Sequence, residues 1–288
     1  MCSEVTAKVR EFYEGVPFPR VSFESISSAS ELNSRAGIYA RALDRELPSL
    51  ARVIDVGCGT AQLLCLLGGC GDRRLFAVDI SLGSLLEGKK LASVLGLRNI
   101  FFVQADLFNL PFEDAGFDYL FCHGVVHHTD RPLEALVKIS RLLRTGGKAS
   151  IGLYNRYGRA VHRLRRWLWR KGSDHKPIPS GHFYRRDING VSAGTVNSWF
   201  RDQYRNPHEV CISLSTAHRW LTEAGLAFVR FLPNVLRRWP VPGRCLFMQA
   251  GSESHLLRRM TFALTQFLWM VRPVESGYFV VTALKEER

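Results

Sequence analysis

With 288 residues, 46% hydrophobic and 23% charged, the chain has material for one large domain, or one domain with a sizeable insertion, and too much apolar content for a disordered polymer. Its net charge of +13 points to an anionic partner, whether nucleic acid, a phosphorylated or carboxylated substrate or a membrane surface; solubility alone is the competing reading. No apolar run reaches the roughly 20 residues that cross a bilayer, and Met260 to Val271, broken by Thr261, Thr265 and Gln266, reads as a core helix.

The N-terminus lacks the basic-then-apolar layout of a secretory signal, so the expectation is a cytoplasmic enzyme. Seven cysteines (Cys2, Cys58, Cys65, Cys70, Cys122, Cys211, Cys245) form no CxxC pair and no zinc-spaced ladder. Most read as small buried hydrophobes, and no metal is expected.

In chain order, Val5 to Tyr13 has helical spacing and stops at Gly15 and the Pro17-Phe18-Pro19 break. A serine-rich stretch, Ser22 to Ser30, precedes a second amphipathic helix over about 30–47. Short apolar runs then alternate with helical segments, the signature of a parallel sheet. Strands are predicted at 52–56, 75–79, 99–104, 117–122 and 148–154, with helices ending near Leu67 and spanning 81–95 and 131–143. Residues 156–213 are basic and aromatic without strand alternation. A helix over 216–224, a strand over 226–232, a helix over 254–271 and a strand over 277–282 complete the chain. The division is a helical extension over 1–50, a core over 51–155, a helical cap over 156–214, and a return to the core over 215–288 with a second insertion at 233–276. Five strand–helix units in a row predict a doubly wound α/β sheet.

The first strand runs through Asp55 into Gly57-Cys58-Gly59-Thr60-Ala61 and a helix. Glycines lacking Cβ atoms let a ligand approach the main chain at a strand's carboxyl end. Asp79 ends the second strand, where an acid can accept both hydroxyls of a ribose. Gln104-Ala105-Asp106 ends the third, where a carboxylate could accept from an adenine amino group. No GxGxxG is completed, because Gly59 is followed by Thr60, Ala61 and Gln62. Ribose and adenine without pyrophosphate fit S-adenosylmethionine better than a dinucleotide.

On these residues, 52 to 154 resembles a class I S-adenosylmethionine-dependent methyltransferase core. Asp55 to Gly59 matches the cofactor loop, Asp79 the ribose acid and Asp106 the adenine-side acid. Phe117-Asp118-Tyr119-Leu120-Phe121-Cys122 matches the fourth strand and Arg144-Thr145-Gly146-Gly147 the turn before the fifth. Ala61 departs from the pattern, since many members carry a third glycine there. The resemblance implies a Rossmann-like seven-stranded sheet with helical additions, S-adenosylmethionine as cofactor, and cofactor contacts from Asp55, Gly57, Cys58, Gly59, Thr60, Asp79, Ile80, Ala105, Asp106, Leu107, Cys122 and His123. Three further segments, Phe12 to Pro19, Gly152 to Arg159 and Asp202 to Glu209, are similar to bacterial methyltransferases of poorly defined substrate.

Methyl transfer is an in-line displacement needing alignment, dryness and, for some acceptors, a base. The loop Cys122-His123-Gly124-Val125-Val126-His127-His128 follows the fourth strand, so His123, His127 and His128 are candidate bases, with structural roles as the alternative. Tyr204, His208 and Glu209 form a second candidate group, with Tyr154 and Asn155 beside the fifth strand. Tyr13, Phe18 and Pro19 could close a lid over the cofactor.

Arg156, Arg159, Arg163, Arg166 and Arg170 recur on one helical face, with Tyr157, Val161, Leu164 and Leu168 on another and Trp167 and Trp169 outside both. The leading reading is a solvated basic face; an anion- or nucleic-acid-binding face and a membrane-surface helix are the others. The expected activity is methyl transfer to an oxygen or nitrogen of a small molecule, an anionic one included, in specialised metabolism. An RNA or protein methyltransferase, and a non-catalytic scaffold of the same fold, are the alternatives.

Overall fold

The computed structural model describes residues 3–19, 32, 37–69, 72–170, 193–233, 246–248, 255–271 and 277–287. Helix α1 (Glu4–Gly15) starts where the Ser3 hydroxyl accepts from the Thr6 amide, an N-cap that satisfies an otherwise orphaned donor. Helix α2 (Ile38–Glu46) is the main described part of the second predicted helix; residues 30, 31 and 33–36 of that helix, and the serine-rich stretch before it, lie outside the described residues.

Strands β1 (Arg52–Val56), β2 (Arg74–Asp79), β3 (Ile100–Gln104), β4 (Phe117–His123) and β5 (Leu143–Tyr154) follow, with helix α3 (Gln62–Leu67) after β1, α4 (Leu82–Val94) after β2 and α5 (Pro132–Ser140) after β4, while β3 runs to β4 through turns alone. The cap supplies α6 (Ala160–Arg170) and α7 (Ala193–Arg205). Then come α8 (Leu214–Glu223), β6 (Leu226–Leu232), α9 (His255–Val271) and β7 (Tyr278–Lys285). The seven strands form one sheet in the order β3-β2-β1-β4-β5-β7-β6. The first five are mutually parallel, and β7 runs antiparallel between β5 and β6.

The chain order reverses between β1 and β4, which opens a crevice beyond their carboxyl ends, the place where such sheets take ligands. Both strands are buried there, with Ile54, Val56, Leu120 and Cys122 packed into one core cluster and Val53, Tyr119 and Phe121 into another. The two faces of the sheet are thus separately covered, as parallel sheets require.

Strand β7 runs three residues past the expected end, to Lys285, and the largest departures from expectation lie around β5. Strand β5 begins at Leu143, so the Thr145-Gly146-Gly147 segment lies within it, not before it. Phe117 pairs with Leu143 and Tyr119 with Lys148, and this shift absorbs the extra residues as a bulge. The preceding helix consequently ends at Ser140 and not Leu143.

Helix α2 is held to the sheet by a buried arginine. The Arg73 guanidinium contacts the Asp44 carboxylate at 2.5 Å and donates to the carbonyls of Asp44, Leu47, Leu67 and Pro48. All five donors of such a group need partners when it leaves water, and here they fix the helix that carries Tyr39.

Candidate active site

The glycine loop is tied down before any ligand is considered. The amides of Gly57 and Cys58 donate to the Val78 carbonyl at 2.7 and 3.0 Å, and the Gly59 amide donates to Asp79 Oδ2 at 2.8 Å. Asp79 Oδ1 accepts from the Ser81 amide at 2.8 Å, so this carboxylate spans the loop and the start of α4. Gly57 has φ +75° and Gly59 φ +54°, which glycine tolerates best. A Cβ on Gly57 would lie 2.1 Å from Val125 Cγ2, and one on Gly59 would lie 2.1 Å from the Phe18 carbonyl oxygen. The close approach at Gly59 is therefore made by the protein's own N-terminal segment. Ala61 adopts φ 51°, so the residue in place of a third glycine is held in a left-handed conformation.

That segment is a strap. The Thr60 amide donates to Phe18 O, and its hydroxyl donates to Pro19 O at 2.8 Å. The Glu14 carboxylate accepts from the amides of Leu82 and Gly83 at 2.9 and 3.0 Å, capping the N-terminus of α4 with the opposite charge to its dipole. Tyr13 donates its hydroxyl to Asp202 Oδ1 on α7 at 2.6 Å and accepts from Asn206 at 2.9 Å.

Beneath the strap is a cavity of about 560 Å³. One end is lined by Asp55, Gly57, Asp79, Ile80, Ala105 and Asp106; the other by Tyr13, Tyr39, His123, His128, Tyr154 and Trp199. Cys58, Gly59 and Leu107 also line it, whereas Thr60 and Cys122 are buried behind the wall and contribute support. Burial and then the Asp79 charge lift the Asp55 pKa to about 8, and burial also raises Asp79. Two adjacent buried acids that resist ionisation form a place that a cation would settle, which fits a sulfonium- and ammonium-bearing ligand.

The three candidate histidines diverge. His123 Nε2 lies 2.8 Å from Ser150 Oγ, which is itself hydrogen-bonded to Tyr39 Oη, and burial lowers the imidazole to about 4. His127 is fully buried, does not line the cavity, and packs its ring 4.3 Å from those of Tyr154 and His128. His128 lines the cavity, and its Nδ1 is 2.7 Å from the His208 carbonyl oxygen. A carbonyl only accepts, so Nδ1 carries the proton and Nε2 is the basic nitrogen of the neutral ring. Burial lowers the His128 pKa, which keeps the ring neutral at ordinary pH.

Tyr204 lines the same cavity, while His208 lies on a separate cleft with Glu209. Glu209 is consumed by a buried ion pair: Arg159 Nε and Nη2 reach its two oxygens at 2.7 and 2.6 Å. Although burial opposes it, this pairing holds Glu209 well below the usual carboxylate range. The Arg159 guanidinium also lies over the Tyr154 ring at 3.6 Å and donates to Gln203, which in turn donates to Tyr154 Oη at 2.8 Å. Arg159 and Arg166 therefore face inward, which corrects the solvated basic face expected of this helix; buried glutamate and backbone carbonyls of the following segment draw them in. The side chains of Trp169 and Arg170 lie outside the described residues.

The three segments outside the core, Phe12 to Pro19, Gly152 to Arg159 and Asp202 to Glu209, thus meet at one cavity. Tyr39, Trp199 and Tyr278 line it without having been singled out from sequence. Gly152 offers a hint for the last: a Cβ there would lie 1.9 Å from Tyr278 Oη, so the glycine makes room for that hydroxyl.

Comparison with known proteins bears on the domain and its fold. Residues 54–151 match the family described as methyltransferase domain. An uncharacterized protein of Synechococcus is 27% identical over 256 residues, covering 80% of this chain and 61% of that protein. A tRNA U34 carboxymethyltransferase of Methylococcus capsulatus is 28% identical over 229 residues, 74% of this chain and 66% of its own length. The chain therefore spans less than two thirds of either relative. Among solved structures, PKMT2 from Rickettsia typhi in complex with AdoHcy is similar with a TM-score of 0.60 at 15% identity, over 84% of this chain and 50% of that one, and supports the fold. The matched domain, the sheet order and the acid-lined glycine loop together identify the chain as carrying a class I S-adenosylmethionine-dependent methyltransferase domain.

Proposed function

We propose that the protein transfers a methyl group from S-adenosylmethionine to an oxygen or nitrogen of a small molecule, in specialised metabolism. One observation carries this reading: the acidic, glycine-lined end and the aromatic end belong to a single cavity of about 560 Å³, roofed by the N-terminal strap and by α7. A chamber of that size suits a cofactor with a compact acceptor. In this reading 51–155 is the cofactor half, 1–50 a lid, 156–214 a substrate cap, and 215–288, with its insertion at 233–276, completes the sheet.

The residues fit the cofactor. Asp79 would hold the ribose hydroxyls while bracing Gly59, Asp106 would face the adenine amino group, and Asp55 would lie toward the positive end. The cofactor supplies an electrophilic methyl carbon; the chain supplies alignment, a dry enclosure and a proton acceptor. His128 is the residue proposed to take the acceptor's proton, at Nε2. Tyr154, oriented by Gln203 and Arg159, positions the acceptor. Tyr204 lines the cap side, His123 braces the aromatic end through Ser150 and Tyr39, and His127 and His208 hold the histidine loop in place.

The test is calorimetry with S-adenosylmethionine, followed by transfer from labelled cofactor into metabolite, RNA and protein fractions of a cell extract. Binding that Gly57→Arg abolishes, with label in the metabolite fraction, is the expected result. Absence of binding removes the enzyme reading and leaves a scaffold of the same fold. Label in RNA favours the second reading, which the similarity to a tRNA-modifying enzyme and the arginines of the second cleft support.

A further inference from the structure

Helix α6 is amphipathic in reverse. Its polar side is the buried one: Arg159, just ahead of it, and Arg166 reach Glu209 and Asn206, and His162 contacts the Gln203 carbonyl. Its apolar stripe, Val161, Leu164 and Leu168, continues the spacing of Tyr157 just ahead of it and lies outward, with Leu164 and Leu168 57% and 50% exposed. Trp167 is exposed at the edge of the stripe.

Helix α9 repeats the arrangement. Phe262, Trp269 and Gln266 are buried against the sheet, whereas Leu256, Met260, Leu264, Phe267 and Val271 form an outward row. The roots of the two helices adjoin, since Asn155 donates to Gln266 at 3.2 Å and Gly158 backs onto Trp269. Nine large apolar side chains on the two helices, with Tyr157 just ahead of α6, exceed the scattered exposure normal for a surface.

Charge selects the occupant. Neither helix contains an aspartate or glutamate, and Arg165 of α6 and Arg259 of α9 are exposed. A second copy would bring arginines against arginines. Nucleic acid would match the charge and leave the leucines in water. Exposed aliphatic and aromatic side chains, on helices that carry no acidic residue and whose exposed charges are arginines, match an interface of hydrocarbon beneath anionic headgroups.

We propose that the outward faces of α6 and α9 dock the protein on an anionic lipid surface. The observation is independent of the methyl-transfer reading. No described helix is long and apolar enough to cross a membrane.

The test is sedimentation of the full chain with phosphatidylcholine vesicles and with mixed phosphatidylcholine–phosphatidylglycerol vesicles. The mixed vesicles should bind at least about tenfold better, less so at high salt. Leu164→Glu with Leu168→Glu, or Met260→Glu with Leu264→Glu, should each lower that binding at least about tenfold while leaving the melting temperature and S-adenosylmethionine affinity unchanged. Should a glutamate pair unfold the protein, the serine pair replaces it. Wild-type fluorescence should shift to the blue on the mixed vesicles, and Trp167→Phe should reduce the shift. The proposal is overturned by absence of binding to mixed vesicles, or by binding that the substitutions leave intact, which would reflect net charge alone. A concentration-dependent dimer that the same substitutions dissociate would also overturn it, as a self-interface.

Discussion

At the residue scale, Asp55 joins burial to ligand chemistry. Its pKa of about 8 lies above that of an unfolded aspartate, so the folded state holds a proton that the unfolded chain has lost. Stability of the ligand-free protein should accordingly fall as pH rises from about 4 toward about 8, then level off. A cation beside Asp55 favours the carboxylate. S-adenosylmethionine should therefore bind with release of a proton at neutral pH, and more tightly as pH approaches 8. Calorimetry in buffers of different ionisation enthalpy reads the proton directly; Asp55→Asn should remove both the release and the pH slope, and buffer-independent heat in the parent would count against this electrostatic account.

The histidine pair offers a sharper contrast. His128→Asn should lower kcat by about 10²–10⁴ with little change in cofactor affinity, as loss of a base would. His127→Phe should instead register in stability, because its ring is buried against Tyr154 and makes no wall of the cavity. Single-turnover kinetics beside thermal melts separates the two. Equal kinetic losses would reassign the proton acceptor.

At the element scale, the ion pair under α6 is what turns that helix. Removing one partner of a buried, bidentate pair costs about 3–5 kcal/mol, because the other charge is stranded. Glu209→Gln should destabilise by that order, and Arg159→Met combined with Glu209→Met should cost less than the sum of the single changes. Denaturant melts of the four proteins close the cycle.

This same pair marks where the sequence ceases to be readable. Strands β1 to β4 were visible because each is a local run of apolar residues, and β6 was bounded to the residue. The loop acids were visible because each ends such a strand. The facing of α6 depends on Glu209, fifty residues on, so helical periodicity separated its two faces without telling which is buried. Tyr39 and Tyr278 reach the cavity from opposite ends of the chain through Arg73 packing and antiparallel pairing with β5, neither of which leaves a local pattern. The shift in β5 is hidden likewise, since Thr145-Gly146-Gly147 reads as a turn until Asp118 and Arg144 pair across it at 2.5 Å.

At the scale of the whole molecule, the cavity is assembled from parts that the sheet alone does not hold together. Tyr13 bridges α1 to α7, Glu14 joins α1 to α4, and the carbonyls of Phe18 and Pro19 rest on the glycine loop. Tyr13, Phe18 and Pro19 of the strap and Trp199, Asp202 and Gln203 of α7 all line the cavity, so a bound ligand should order strap and cap jointly. At a ligand concentration about a hundredfold above Kd, linkage adds about 2.7 kcal/mol to stability. Hydrogen exchange should then slow in α1, in residues 57–61 and in α7, and remain unchanged along the outer faces of α6 and α9. Tyr13→Phe deletes two hydrogen bonds between lid and cap, each worth about 0.5–1.5 kcal/mol. It should uncouple the protection, so that S-adenosylmethionine still protects residues 57–61 while α7 exchanges as in the free protein. Protection of α7 that survives this change would mean that the cap closes on the cofactor directly and the strap follows.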